Sequence, residues 1–237
     1  MSCKESSDSA DALKVEFTFD DVNEAILAAT KTQSPEDIKV DQYFKYEDNY
    51  QIELNEPQTI STFEGTVLQV NDNPNHIEIR VLETITQFVE NGEPEVDTKE
   101  EIYNIGKQVT LNYFQLSPRN KLFNSVLPTS QLNTLNNGLK VYDLNVSTSN
   151  INYPLAVQER MNCDKNNPCQ FQGTRIKFLL EDTANKNETN KVAIDRIYIN
   201  NGNYLVGMYS SCQSQFVVIG DRDFYVKQCS VLRDFTE

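Results

Sequence analysis

Few side chains in this sequence are equipped for chemistry: five cysteines, one histidine, and a surplus of carboxylates, 35 Asp and Glu against 21 Lys and Arg. A single imidazole rules out any site that needs two and leaves His76 as a lone candidate base. His76, Glu78 and Arg80 share one face of a strand-like run at a period of two, which is the pattern of an exposed polar strand. Paired carboxylates can work as general acid and base without any local motif, so a hydrolase on a β scaffold is the enzymatic alternative. Asp221 and Asp223 are such a pair in sequence, but they flank a turn, where Asp is favoured for backbone reasons. No phosphate-cradling glycine loop, G-x-S-x-G elbow or H-E-x-x-H helix occurs. No catalytic residue and no cofactor is therefore assigned.

Metals fit poorly. Tetrahedral zinc sites usually place two cysteines two to four residues apart, and neither Cys163 and Cys169 nor Cys212 and Cys229 has that spacing. Calcium prefers carboxylate and carbonyl oxygens, which the loops 71–75, 90–97 and 182–190 supply without matching an EF-hand spacing. No metal ligand is assigned.

The elements that position these residues read as mainly β, in antiparallel sheets forming a barrel or a sandwich, with one or two short N-terminal helices. Val22, Ala25, Ile26 and Ala29 repeat at helical spacing behind Asp20 or Asp21 as N-cap, which predicts a helix near 21–31. Ser34-Pro35-Glu36-Asp37 is a second helix start. Strands follow over 58–70, with Gly65 marking a bulge or bend, over 76–82 beyond the turn Asn71-Asp72-Asn73-Pro74-Asn75, and over 101–105, 108–114 and 139–146. The acidic stretch 90–97 reads as an exposed loop. This order of a long bent strand, hairpin, third strand, crossover and closing strand resembles an OB-type barrel over residues 57–148, though an open sandwich accounts for the same strands.

The last third reads as an antiparallel meander of five runs, 174–180, 191–199, 204–209, 215–219 and 224–231. Asn200-Asn201-Gly202-Asn203 and Gly220-Asp221-Arg222-Asp223 are its hairpin signals. Travel direction along that meander puts Cys163 and Cys169 at one end and Cys212 and Cys229 at the other. A disulfide needs Cα atoms within about 7 Å, so the pairs Cys163–Cys169 and Cys212–Cys229 are favoured among the three possible connectivities.

Cys3 is then left over. It follows a single Ser and precedes the polar run Lys4-Glu5-Ser6-Ser7-Asp8-Ser9-Ala10-Asp11, and this short segment resembles the first residues of a mature bacterial lipoprotein. The resemblance implies that Cys3 carries lipid, that a signal peptide has been removed, and that the protein is anchored to a membrane without spanning it. It places the chain in the periplasm or on the cell surface, on the outer membrane, and implies oxidising conditions in which both bridges form.

Charge divides the chain. Residues 1–150 hold 25 acidic and 11 basic side chains, and residues 151–237 hold ten of each, so the whole net charge of −14 lies in the first part. This suggests a tether over 1–12, an acidic β-rich domain over 13–150 and a disulfide-bonded β domain over 151–237. It also excludes nucleic acid as a partner, since a phosphate backbone needs a basic stripe. The function this supports is a non-enzymatic envelope module that binds an envelope protein or a glycan. Tyr43, Phe44, Tyr46 and Tyr50 are its candidate contact residues, because aromatic side chains supply large contact area and tyrosine adds a polar tip.

Overall fold

The computed structural model describes residues 15–18, part of 21–28, 38–106 except 54, 75, 90 and 91, 139–182 except 164 and 165, 191–200, 208–219 and 222–236. They form one ten-stranded antiparallel sheet in the order β1-β6-β7-β8-β9-β10-β2-β3-β4-β5. Its strands are β1 (Glu16–Phe17), β2 (Tyr43–Ile52), β3 (Gln58–Asp72), β4 (His76–Gln87), β5 (Glu95–Gly106), β6 (Leu139–Asn152), β7 (Gln170–Asp182), β8 (Lys191–Ile199), β9 (Met208–Ile219) and β10 (Arg222–Phe235). A short helix, α1 (Leu155–Arg160), joins β6 to β7. The sheet is open and not closed into a barrel, so the OB-type expectation is corrected. After β5 the chain does not close on β2; its next strand, β6, pairs with β7 on the far side of the sheet.

Two meanders make up this sheet, β2 to β5 and β6 to β10, and they meet where the last strand pairs with β2. That joint runs from Val226 opposite Ile52 to Phe235 opposite Phe44, with an irregularity between Leu232 and Asp234. Residue 150, where the charge asymmetry suggests a boundary, lies inside β6.

Period-two alternation explains which residues face the core. Leu232, Tyr46, Phe63 and Ile85 stand in one cross-strand row over β10, β2, β3 and β4, and all four are buried. The next inward row holds Phe235, Phe44, Gly65 and Glu83. Between them, the row Asp234, Lys45, Glu64, Thr84 and Thr98 faces the other way and is polar throughout. The same core cluster takes in Phe171 of β7 and Ile199 of β8, which lie beyond β9 and β10 in the sheet, so the sheet curls. Tyr46 shows the curl directly, since its hydroxyl donates to the Met208 carbonyl at 2.7 Å, reaching past β10 to β9. A second cluster packs Val22 and Ala25 of the N-terminal helix against Val141, Ile176, Phe178 and Ile194.

Local details differ from the sequence expectations for identifiable reasons. The N-terminal helix is capped by Thr18: its hydroxyl accepts from the Asp21 amide at 3.2 Å, while the Asp21 carboxylate accepts from the Thr18 amide at 2.6 Å. This is a reciprocal capping box with Asp21 at its third position, and these bonds, the Thr18 amide first, hold the Asp21 carboxyl below its ordinary range. Residues 95–97 are strand, paired with Gln87, Thr86 and Ile85. The runs 204–209 and 215–219 belong in part to one long β9, because the polar Ser210-Ser211-Cys212-Gln213 between them is paired on both sides. The expected helix start at 34–37 and the expected strand at 108–114 lie outside the described residues.

Gly65 is not at a bulge. It stands in regular register between Phe44 and Glu83, and a Cβ there would sit 2.1 Å from Cζ of the Phe44 ring. The ring lies over the glycine and is itself fully buried, so it has nowhere to retreat. Gly65→Ala is expected to destabilise the fold by about 1–3 kcal/mol, the usual range for an overpacked core. Urea denaturation of the two proteins measures this directly, and an unchanged midpoint would show that the ring can move aside.

Candidate binding surface

β2 sorts the four candidate aromatics by parity. Phe44 and Tyr46 point into the core and are buried, so neither is available as a contact residue in this structure. Their rings pack on each other at 6.2 Å, and Phe44 packs on Phe63 at 5.5 Å. The strand is interior, flanked by β10 and β3, which explains its aromatic content. Tyr43 and Tyr50 are half-buried.

Tyr43 belongs to a charged seam on the outer face. Its hydroxyl donates to Glu64 Oε2 at 2.9 Å, and Lys45 Nζ donates to Glu64 Oε1 at 2.6 Å. Asp234 lies opposite Lys45 and accepts from Arg160 at the end of α1, whose guanidinium also donates to the Phe235 carbonyl at 2.6 Å. Asn162 (φ 57) just beyond ends the helix in the left-handed conformation that asparagine tolerates. Each charge in the seam is opposed by a neighbour, and pairs this exposed contribute little individually. The seam's role is positional: it holds α1 against the end of β10.

The two disulfides frame the second meander. Cys163 and Cys169 are bonded with Cα atoms 5.7 Å apart, and Cys212 and Cys229 with Cα atoms 4.1 Å apart. The first bridge closes the loop behind α1, where Tyr153 packs on Phe171 at 5.1 Å and on Phe235 at 6.0 Å. The second joins direct cross-strand partners on adjacent strands, at the close spacing of a non-hydrogen-bonded antiparallel pair. The topological reasoning placed Cys212 and Cys229 on the third and fifth strands of a five-strand meander; because β9 is one strand, they sit side by side. Cys3 lies outside the described residues.

The sequence reading missed the surface that this second bridge organises. Four residues along β9 and four back along β10 from the bridge, Phe216 faces Tyr225 on the same side of the sheet. Phe216 is 70% exposed, and the two rings meet edge to face at 5.5 Å. Tyr225 is clamped in turn: its carbonyl accepts from the Glu53 amide at 2.7 Å and its amide donates to Glu53 Oε1 at 2.8 Å. Glu53 adopts φ 55, a left-handed conformation rare for a non-glycine residue. An exposed aromatic held by a ladder, a bridge and a clamp has little freedom left to lose, which is what a preorganised contact needs. Register counted outward from the bridge was the available signal.

Two of the polar residues singled out from sequence, Glu78 and Arg80, are engaged structurally. Glu78 accepts from Asn71 at 2.8 Å, and Arg80 lies 3.8 Å from Glu100. Among the described residues no three His, Cys, Asp or Glu side chains gather as a metal site requires. No described helix is long and apolar enough to cross a membrane.

Tyrosine burial gives this region a pH signature. Burial pushes the Tyr43, Tyr46 and Tyr209 phenols above their ordinary value, and for Tyr43 the hydrogen bond to Glu64 adds to it. Unfolded tyrosine loses its proton near pH 10, while these three hold theirs to higher pH when folded. The unfolded state therefore binds fewer protons above about pH 10, and stability falls as pH rises beyond it. Urea titrations at about pH 8 and about pH 11, read beside tyrosinate absorbance, are expected to show this loss. Tyr46→Phe should make the slope shallower, and an identical slope would remove Tyr46 from the account.

No protein-family model matches this chain, and no curated protein does. Among solved structures it is similar to a Bacteroides fragilis protein described as exported with a YmcC-like fold, at 15% identity over 88% of this chain and 99% of that one, with a TM-score of 0.39. A likeness that distant carries no conclusion about fold or function.

Proposed function

We propose that this chain is a non-enzymatic extracytoplasmic module, anchored by lipid on Cys3, that holds an envelope protein or a glycan against its sheet. The observation that carries the reading is the cysteine inventory: four of five cysteines are consumed in two bridges, leaving Cys3 at the head of a polar run. Disulfides persist in oxidising compartments and are rare in the cytosol. The rigid Phe216–Tyr225 surface supports a binding role, since aromatics with a polar tip are enriched where proteins meet partners. The acidic surplus argues against nucleic acid and against an anionic membrane surface.

Intact mass of protein from its native cells, before and after reduction and alkylation, tests this reading. The expected result is a chain beginning at an acylated Cys3, with four cysteines alkylated only after reduction. An unmodified chain with five free thiols would overturn both compartment and anchor. Cys212→Ser with Cys229→Ser should also lower unfolding stability by about 3 kcal/mol, the scale for a bridge closing a loop of this size.

A further inference from the structure

The two ends of the sheet are guarded differently. Edge strand β5 carries Glu95, Asp97, Glu100 and Glu101 against Lys99, and charges on an edge discourage another strand from adding. At the other end, β1 pairs only with Tyr142 and Val141 of β6. Beyond a register shift between Tyr142 and Asn145, where Asp143 adopts φ 55, β6 has no outer strand among the described residues. From Leu144 to Asn152 that edge contains no charge and no proline. Residues 145–150 are exposed without interruption, so the buried-exposed alternation of a covered strand is lost here.

We propose that this edge of β6 takes the β6 of a second copy, antiparallel about a two-fold axis, continuing the sheet into the partner. A two-fold contact sets each residue against its own counterpart, and the sequence suits that constraint. Centred on Thr148, the register places Ser147 opposite Ser149 and Thr148 opposite itself, pairs that stabilise a sheet by side-chain hydrogen bonding. No like charges meet. The nearest guanidinium on β7, Arg175, is held bidentate by Asp195 and adds no repulsion. Pro154 turns the chain away just past β6, so the incoming strand ends before it reaches β1. Overall charge works against association, and so the dimer strengthens as salt screens it.

Sedimentation across about 10–500 μM, at low and moderate salt, tests this on the full chain, a range that reports micromolar association. The wild type is expected to dimerise, more tightly at higher salt. Ser147→Glu with Ser149→Glu, both at exposed positions, should weaken association by at least about tenfold while leaving the unfolding midpoint unchanged. Mixing it with Ser147→Lys and Ser149→Lys should restore a mixed dimer. A wild type that stays monomeric, or a Glu variant that dimerises as well as wild type, would overturn the proposal. So would strong exchange protection, in the monomeric variant, of those amides within 145–150 that point away from β7, which would show the outer edge already covered by the chain itself.

Discussion

The structure hangs on one pairing: β10 against β2. Every other ladder among the long strands joins sequence neighbours, whereas this one joins strands far apart in sequence; the Tyr43 amide donates to the Thr236 hydroxyl across 193 residues. Remove it and two separate meanders remain, each with an orphan edge. Because of it, Tyr46 can reach Met208 and Glu53 can clamp Tyr225. The core has the same dependence, since its largest cluster draws on both meanders.

From that joint follows a division of labour between the faces. On the concave side, apolar rows stack behind Phe44 and Tyr46, and a fully buried carboxylate, Glu83, stands among them. On the outer side the same strands present rows of alternating charge and hydroxyl. The Cys212–Cys229 bridge sits on that outer side, beside β10, and locks the register of the strand that makes the joint. Phe216 and Tyr225 inherit their rigidity from it, so an exposed aromatic is mounted on a cross-linked part of the sheet.

Much of this was readable in residues whose signal is local. The alternation in His76–Leu82, the turn residues Gly220-Asp221-Arg222-Asp223 and the β-branched run Lys191–Ile199 each declare a strand from within. The cysteine pairs followed from the direction of travel along the meander, even though the strand count was wrong by one. What escaped was non-local. β2 shows apolar alternation only at Phe44 and Tyr46; its remainder, Glu47-Asp48-Asn49-Tyr50-Gln51, looks like a polar loop, and its status as an interior strand depends on β10. Phe216 escaped for the same reason: exposure is a property of the register, and the register became countable only once Cys212 and Cys229 were neighbours. The helix α1 is six residues long and has no side-chain cap at Pro154, so it leaves hardly any trace in the sequence.

Placing the final strand in the interior of the sheet has a consequence for biogenesis. A nascent chain emerges N-terminus first, and β2 has one side unfilled until the last fourteen-residue strand has left the ribosome. The two meanders are therefore synthesised before the strand that joins them. An interior strand drawn from so late in the sequence makes the sheet's middle its most vulnerable point: loss of Arg222–Phe235 would leave both meanders in place with nothing between them.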